Sequence, residues 1–79
     1  MTTIATQGVC ARAIEFDVQN GIVKSVNFIG GCPGNLIGIS ELVKDKPVDF
    51  VIEKLEGIRC GGKLTSCPDQ FAKALKAHR

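Results

Sequence analysis

Between Val9 and Phe28 apolar and polar side chains alternate on either side of an Asn-Gly pair, the pattern of a β-hairpin. Ile14, Phe16 and Val18 alternate with Glu15 and Asp17 before the pair, and Ile22, Val26 and Phe28 follow it. The apolar faces match when Val18 pairs with Ile22, leaving Gln19-Asn20-Gly21 as the loop with glycine in the left-handed position. A two-residue Asn-Gly turn pairs Phe16 with Ser25 and mixes the faces, so the longer loop is expected. That register pairs Ile14 with Val26, Arg12 with Phe28 and Cys10 with Gly30. It puts Cys10 on the apolar face, within reach of Cys32. A hairpin alone is marginally stable. A third strand from Thr2 to Thr6, or pairing across a homodimer, is therefore expected.

Past Phe28 the apolar period lengthens to that of helices. Leu36, Ile39, Leu42 and Val43 predict a first helix from Pro33 to about Lys44, proline being tolerated at its first position. Gly34 and Gly38 weaken it by roughly 1 kcal/mol each relative to alanine, and glycine there suggests close approach of a backbone or a ligand. Val48, Val51, Ile52 and Leu55 form one stripe of a second helix from about Pro47 to Glu56, ended by Gly57. A third opens with Ser66 as N-cap and Asp69 three residues on, a capping-box pattern in its aspartate form. Phe71, Ala72, Ala74 and Leu75 form its inward face. The expected fold is α+β, a hairpin-based antiparallel sheet followed by three helices packed on one face, in one domain over residues 1–79.

Composition narrows the function. Of 79 residues, 44% are apolar and 23% charged, which excludes a disordered chain. The net charge of +2 is too small to indicate a nucleic-acid binder. Lys73, Lys76, His78 and Arg79 suit the last turn of a helix, where cations complement its dipole. No run of 18 apolar residues exists to span a membrane. The opening Met1-Thr2-Thr3-Ile4-Ala5-Thr6 lacks the basic and apolar regions of a secretory leader, which predicts a cytoplasmic protein with reduced thiols. A domain of this size buries only about 60% of its unfolded surface, and a metal, a cofactor or a partner commonly compensates.

The four cysteines offer such a remedy. Cys32 and Cys67 each precede a proline at a predicted helix N-terminus, where unpaired N–H groups and the positive dipole end suit a thiolate. Cys60 lies in a glycine-rich connector, and Gly61-Gly62 can bend to bring it to Cys67. Cys10 and Cys32 close the hairpin. Convergence of Cys10, Cys32, Cys60 and Cys67 predicts one tetrahedral four-sulfur site for zinc or an iron–sulfur cluster. The alternative leaves Cys10 as a small core residue. Cys60 and Cys67 also suit a thiol–disulfide relay. The turn Gly30 to Asn35 leads into a helix N-terminus, which makes Gly31, Gly34 and Asn35 candidates for a nucleotide or flavin phosphate; the same turn serves equally to let the chain leave the strand.

The stretch from Gly57 to Gln70, with Thr65-Ser66-Cys67-Pro68-Asp69 within it, resembles the TSCPD domain. Gly31-Cys32-Pro33-Gly34-Asn35 and Gly8-Val9-Cys10 look like that family's small stand-alone members. Such domains also occur at the C-terminus of adenosylcobalamin-dependent ribonucleotide reductases. The resemblance thus implies a role in ribonucleotide reduction and DNA biosynthesis, with a reductase or another redox protein as partner. This chain has no room for the large radical-bearing barrel and cobalamin site of those enzymes, so an accessory role rather than catalysis on its own is expected. The order of Cys32, Cys60 and Cys67 is also similar to that in iron–sulfur-cluster scaffold proteins, although this chain is shorter and adds Cys10. That likeness implies a scaffold-like fold.

Overall fold

A computed structural model describes residues 2–6, 8–9, 11–30, 33–59, 61–62 and 64–78, with residue 33 described in its backbone alone. Three strands, β1 (Thr2–Ala5), β2 (Ala11–Gln19) and β3 (Ile22–Gly30), form an antiparallel sheet in the order β1-β2-β3. Helices α1 (Pro33–Val43), α2 (Val48–Leu55) and α3 (Cys67–His78) follow. The fold is α+β, as expected. The N-terminal strand is present, with Ile4 opposite Ile14.

The hairpin differs from expectation at its turn. Gln19 pairs with Ile22 across the two-residue turn Asn20-Gly21, with φ of 55° and 75°. Positive φ at both positions gives a turn twist that matches the strands. The mixing of faces that this turn seemed to force is undone by a bulge. Asp17 pairs with Ser25 and Val18 with Val23, leaving Lys24 as an extra residue. Phe16 then meets Val26 and Ile14 meets Phe28. Val23 and Val26, three apart, both face inward, which only an inserted residue permits. Ile22 is half-buried instead.

A second register shift sits at Arg12. Ala11 pairs with Gly30 and Ala13 with Ile29, so Ala11 and Ile14 are both buried. The expected pairs Arg12–Phe28 and Ile14–Val26 do not form, and Gly30 has Ala11 as its partner rather than Cys10. Gly30 adopts φ of 82°, and a Cβ there would lie 3.4 Å from Arg12 Nε.

The helices cover the apolar face of the sheet. In α1, Leu36 and Val43 are buried and Ile39 packs against the core. Leu42, expected inward, is 74% exposed. At about 100° per residue it lies roughly 240° around from Leu36, whereas Ile39 and Val43 return to the same side. A segment after α1 is strapped to the sheet: Val23 N–H donates to Lys46 O (2.9 Å), Asp45 N–H to Val23 O (2.7 Å) and Val48 N–H to Gly21 O (2.8 Å). In α2, Val48, Val51 and Ile52 point inward, and Gly57 follows at φ 90°. In α3, Phe71, Ala72, Ala74 and Leu75 are buried as the sequence pattern predicts. Phe71 meets Phe16 and Phe28 edge-on, with ring centroids 5.6 and 5.8 Å apart. Such contacts add about 0.5–1.5 kcal/mol each beyond the buried area. The helix continues through His78, whose ring lies edge-on to Phe16. No helix among the described residues is long and apolar enough to cross a membrane.

Candidate functional site

Cys67 opens α3, and its placement follows from the residues around it. Ser66 has the dual role of an N-cap. Its hydroxyl accepts the Asp69 N–H at 3.1 Å and donates to Ile58 O at 2.7 Å. One hydroxyl thus starts the helix and ties it to the segment just after α2. Phe71, Ala74 and Leu75 anchor the far turns in the core. The helix is therefore fixed in both direction and rotation, and the first side chain of α3 has a defined place.

The thiol of Cys67 is free and 7% exposed. Its Sγ accepts the backbone N–H of Ala11 at 3.4 Å. Ala11 is the sheet partner of Gly30. Thr6 holds Ala11 from the other side: the Thr6 hydroxyl donates to Ala11 O and the Thr6 N–H to Arg12 O. The start of β2, the end of β3 and the start of α3 are therefore joined around one sulfur. In the chain, Ala11 follows Cys10 directly and Gly30 stands two residues before Cys32.

Asp69 is the second organising residue. Its carboxylate is fully buried. Oδ1 accepts the Gly57 N–H at 2.7 Å, and Oδ2 accepts the Thr65 hydroxyl at 2.5 Å and lies 3.0 Å from Lys73 Nζ. Burial by itself pushes this carboxyl up, but the donors from Thr65, Gly57 and Lys73 outweigh it and hold the group below its ordinary value. The aspartate form of a capping box would send this side chain back to the Ser66 N–H. It reaches the end of α2 instead. Sequence reasoning missed this role and that of Thr65. The available signal was a threonine four residues before an aspartate in a helix's first turn.

The other candidates are placed as follows. Cys10, Cys32, Cys60 and Gly31 lie outside the described residues, as does Arg79 of the basic cluster. Gly34 and Asn35 are exposed in the first turn of α1. A Cβ at Gly34 or Gly38 would meet nothing within 4 Å, so packing against the described protein does not call for glycine there. Lys76 pairs with Glu56 at 3.2 Å. Among the described residues no group of three His, Cys, Asp or Glu side chains is arranged to hold a metal. An open groove of about 590 Å³ runs beside the site, lined by Ile4, Ala5, Thr65, Gln70, Lys73 and Ala74.

Chemically, a buried thiol that accepts a backbone N–H fits a sulfur ligand, since such hydrogen bonds tune sulfur-bound metal centres. No curated protein and no solved structure matches this chain. One family model, described as the TSCPD domain, matches residues 2–79.

Proposed function

The chain belongs to the TSCPD-domain family, and on that footing we propose that it is a small cysteine-ligated metal module serving ribonucleotide reduction. TSCPD domains are associated with ribonucleotide reductases. In this reading Cys10, Cys32, Cys60 and Cys67 hold one zinc ion or one iron–sulfur cluster. Zinc closed by four thiolates is structural, whereas a cluster carries electrons. The protein works in a reducing cytoplasm as an accessory to a reductase or another redox protein, and not as an enzyme by itself.

The observation that carries the reading is the Ala11 N–H donated to the buried Cys67 sulfur. It joins the chain next to Cys10 to the helix start of Cys67, and the Ala11–Gly30 pair brings in the strand end that leads to Cys32. A relay between Cys60 and Cys67 is the second reading. It needs a sulfur open to solvent, and the burial of Cys67 favours binding over relay. A nucleotide or flavin phosphate on Gly31, Gly34 and Asn35 is a subordinate reading, for which the exposure of Gly34 and Asn35 in the first turn of α1 leaves room.

Metal and sulfide analysis of protein purified without oxygen tests the proposal. About one zinc per chain, or iron with matching sulfide, is expected. Cys67→Ser is expected to lose that metal and to melt at lower temperature, because metal binding and folding are coupled. Metal-free wild-type protein that cycles a Cys60–Cys67 disulfide would replace this reading with the relay.

A further inference from the structure

The two outer strands of the sheet present different edges. β3 is covered at Val23, which exchanges hydrogen bonds with Asp45 and Lys46, and it carries the bulge at Lys24. A covering segment, a bulge and a lysine all discourage pairing with another chain. β1 has none of these: Thr2-Thr3-Ile4-Ala5 carries no charge and no proline and runs in unshifted register with β2. Thr6 N–H donates to Arg12 O. Bonded positions alternate along an antiparallel pair, so Thr2 and Ile4 turn their backbone groups to β2, while Thr3 and Ala5 turn theirs outward. Thr3 and Ala5 are also the exposed residues of the strand. Beside this edge runs the open groove of about 590 Å³, with Ile4 and Ala74 in its walls. Among its described lining residues only Lys73 is charged, and the buried Asp69 carboxylate lies 3.0 Å from it. Such a groove offers a charged peptide no net charge to pair with. It suits an uncharged strand with an apolar side chain on its inner face, and β1 is itself such a strand.

We propose that the outer edge of β1 is a dimer interface, where two copies of this chain pair their β1 strands antiparallel about a twofold axis with Thr3 opposite the partner's Ala5. In that register the outward N–H and C=O groups of Thr3 and Ala5 all find partners in the other copy. Ile4 then faces the partner's Ile4 at a non-hydrogen-bonded position, where strands approach most closely. Ile4 lies on the helix side, packed against the core, so the partner's Ile4 enters the groove. A slip of one residue would set Ile4 opposite Thr3 and turn inner side chains against outer ones. Both copies use the same patch, so the association closes at two. A strand of four residues makes a small interface, which places the dimer among weak, micromolar associations. None of this depends on the metal-module reading.

Sedimentation equilibrium from micromolar to millimolar protein, in reducing buffer so that disulfides between copies play no part, tests the proposal. Wild type is expected to pass from monomer to dimer. Thr3→Pro removes an outward N–H without touching the ladder to β2, a position where an edge strand tolerates proline. It is expected to weaken the dimer on the order of tenfold or more while the circular dichroism of the fold is kept. Thr3→Val keeps the N–H and is expected to dimerise like wild type. In wild type the Thr3 and Ala5 amides are expected to exchange more slowly as the dimer forms. A chain that stays monomeric at millimolar concentration overturns the proposal and leaves the edge to a foreign strand. A dimer that survives Thr3→Pro unweakened also overturns it, and assigns the contact to another surface such as the exposed Leu42 side of α1. Should Thr3→Pro fail to fold, Ala5→Pro takes its place. Should both fail, the wild-type amides decide: unchanged exchange at Thr3 and Ala5 across dimerisation overturns the proposal.

Discussion

Asp69 shows how one side chain can carry a measurable signature. Its carboxyl sits below the ordinary value of 3.8 in the folded chain, against the pull of burial, through Thr65, Gly57 and Lys73. A carboxyl depressed by folding contributes stability above its unfolded value and loses that contribution as pH falls through the folded value. Its share of the stability is therefore whole above about pH 5 and fades on acidification below about pH 4. Asp69→Asn is expected to cost about 1.5–3 kcal/mol at neutral pH, the worth of hydrogen bonds to a charged group. Its stability should also fall less steeply with acid than that of the wild type. Urea unfolding at pH 7, 5 and 3 checks both; parallel pH profiles would contradict the assignment. At this scale the sequence was half legible. Ser66 as a cap, and Cys67 at a helix start, could be read from neighbours in the chain. The partners Gly57 and Ala11 could not, because each contact is made to a backbone N–H that any residue supplies.

Among the elements, the helices were the easier part. Phe71, Ala72, Ala74 and Leu75 recur at one spacing on one face, and the structure buries all four. The outlier is Leu42, which sits beside Val43 in the sequence but on the open side of α1. Adjacent apolar residues are told apart only by the helical count from Leu36 and Ile39, which favours Val43. The hairpin was harder for the same reason: Ile22 and Val23 are both suitable core residues, and the bulge at Lys24 selects Val23. No side-chain pattern marks a bulge in advance. Gly30 is the element-scale test. Its φ of 82° and its closeness to Arg12 admit a Cβ only with strain. Gly30→Ala is expected to destabilise by about 1–2 kcal/mol, the cost of a left-handed conformation for an L-residue. A thermal melt within error of the wild type would refute it.

The molecule as a whole is held by a small core. Phe16, Phe28 and Phe71 join sheet to helix at its centre, and the first and last are almost fully buried. Large-to-small change at such a site costs about 3–5 kcal/mol. A chain of this length has only about 4–12 kcal/mol in all. Phe71→Ala is accordingly expected to remove a quarter or more of that stability, read as a fall in melting temperature of roughly 12 °C or more. A ligand that binds only the folded state adds stability in proportion to the logarithm of its concentration over its Kd. If the metal module forms, chelation should lower the melting temperature of the wild type and leave that of Cys67→Ser unmoved.

Ala11 and Cys67 stand 56 positions apart, yet the amide of one meets the sulfur of the other. Chains emerge from the ribosome N-terminal end first, so this closure waits until α3 has been synthesised. Until then the Ala11 N–H is without its sulfur acceptor. Translation products cut short before α3 would lack this tie between β2 and α3, together with the burial that Phe71 and Leu75 provide.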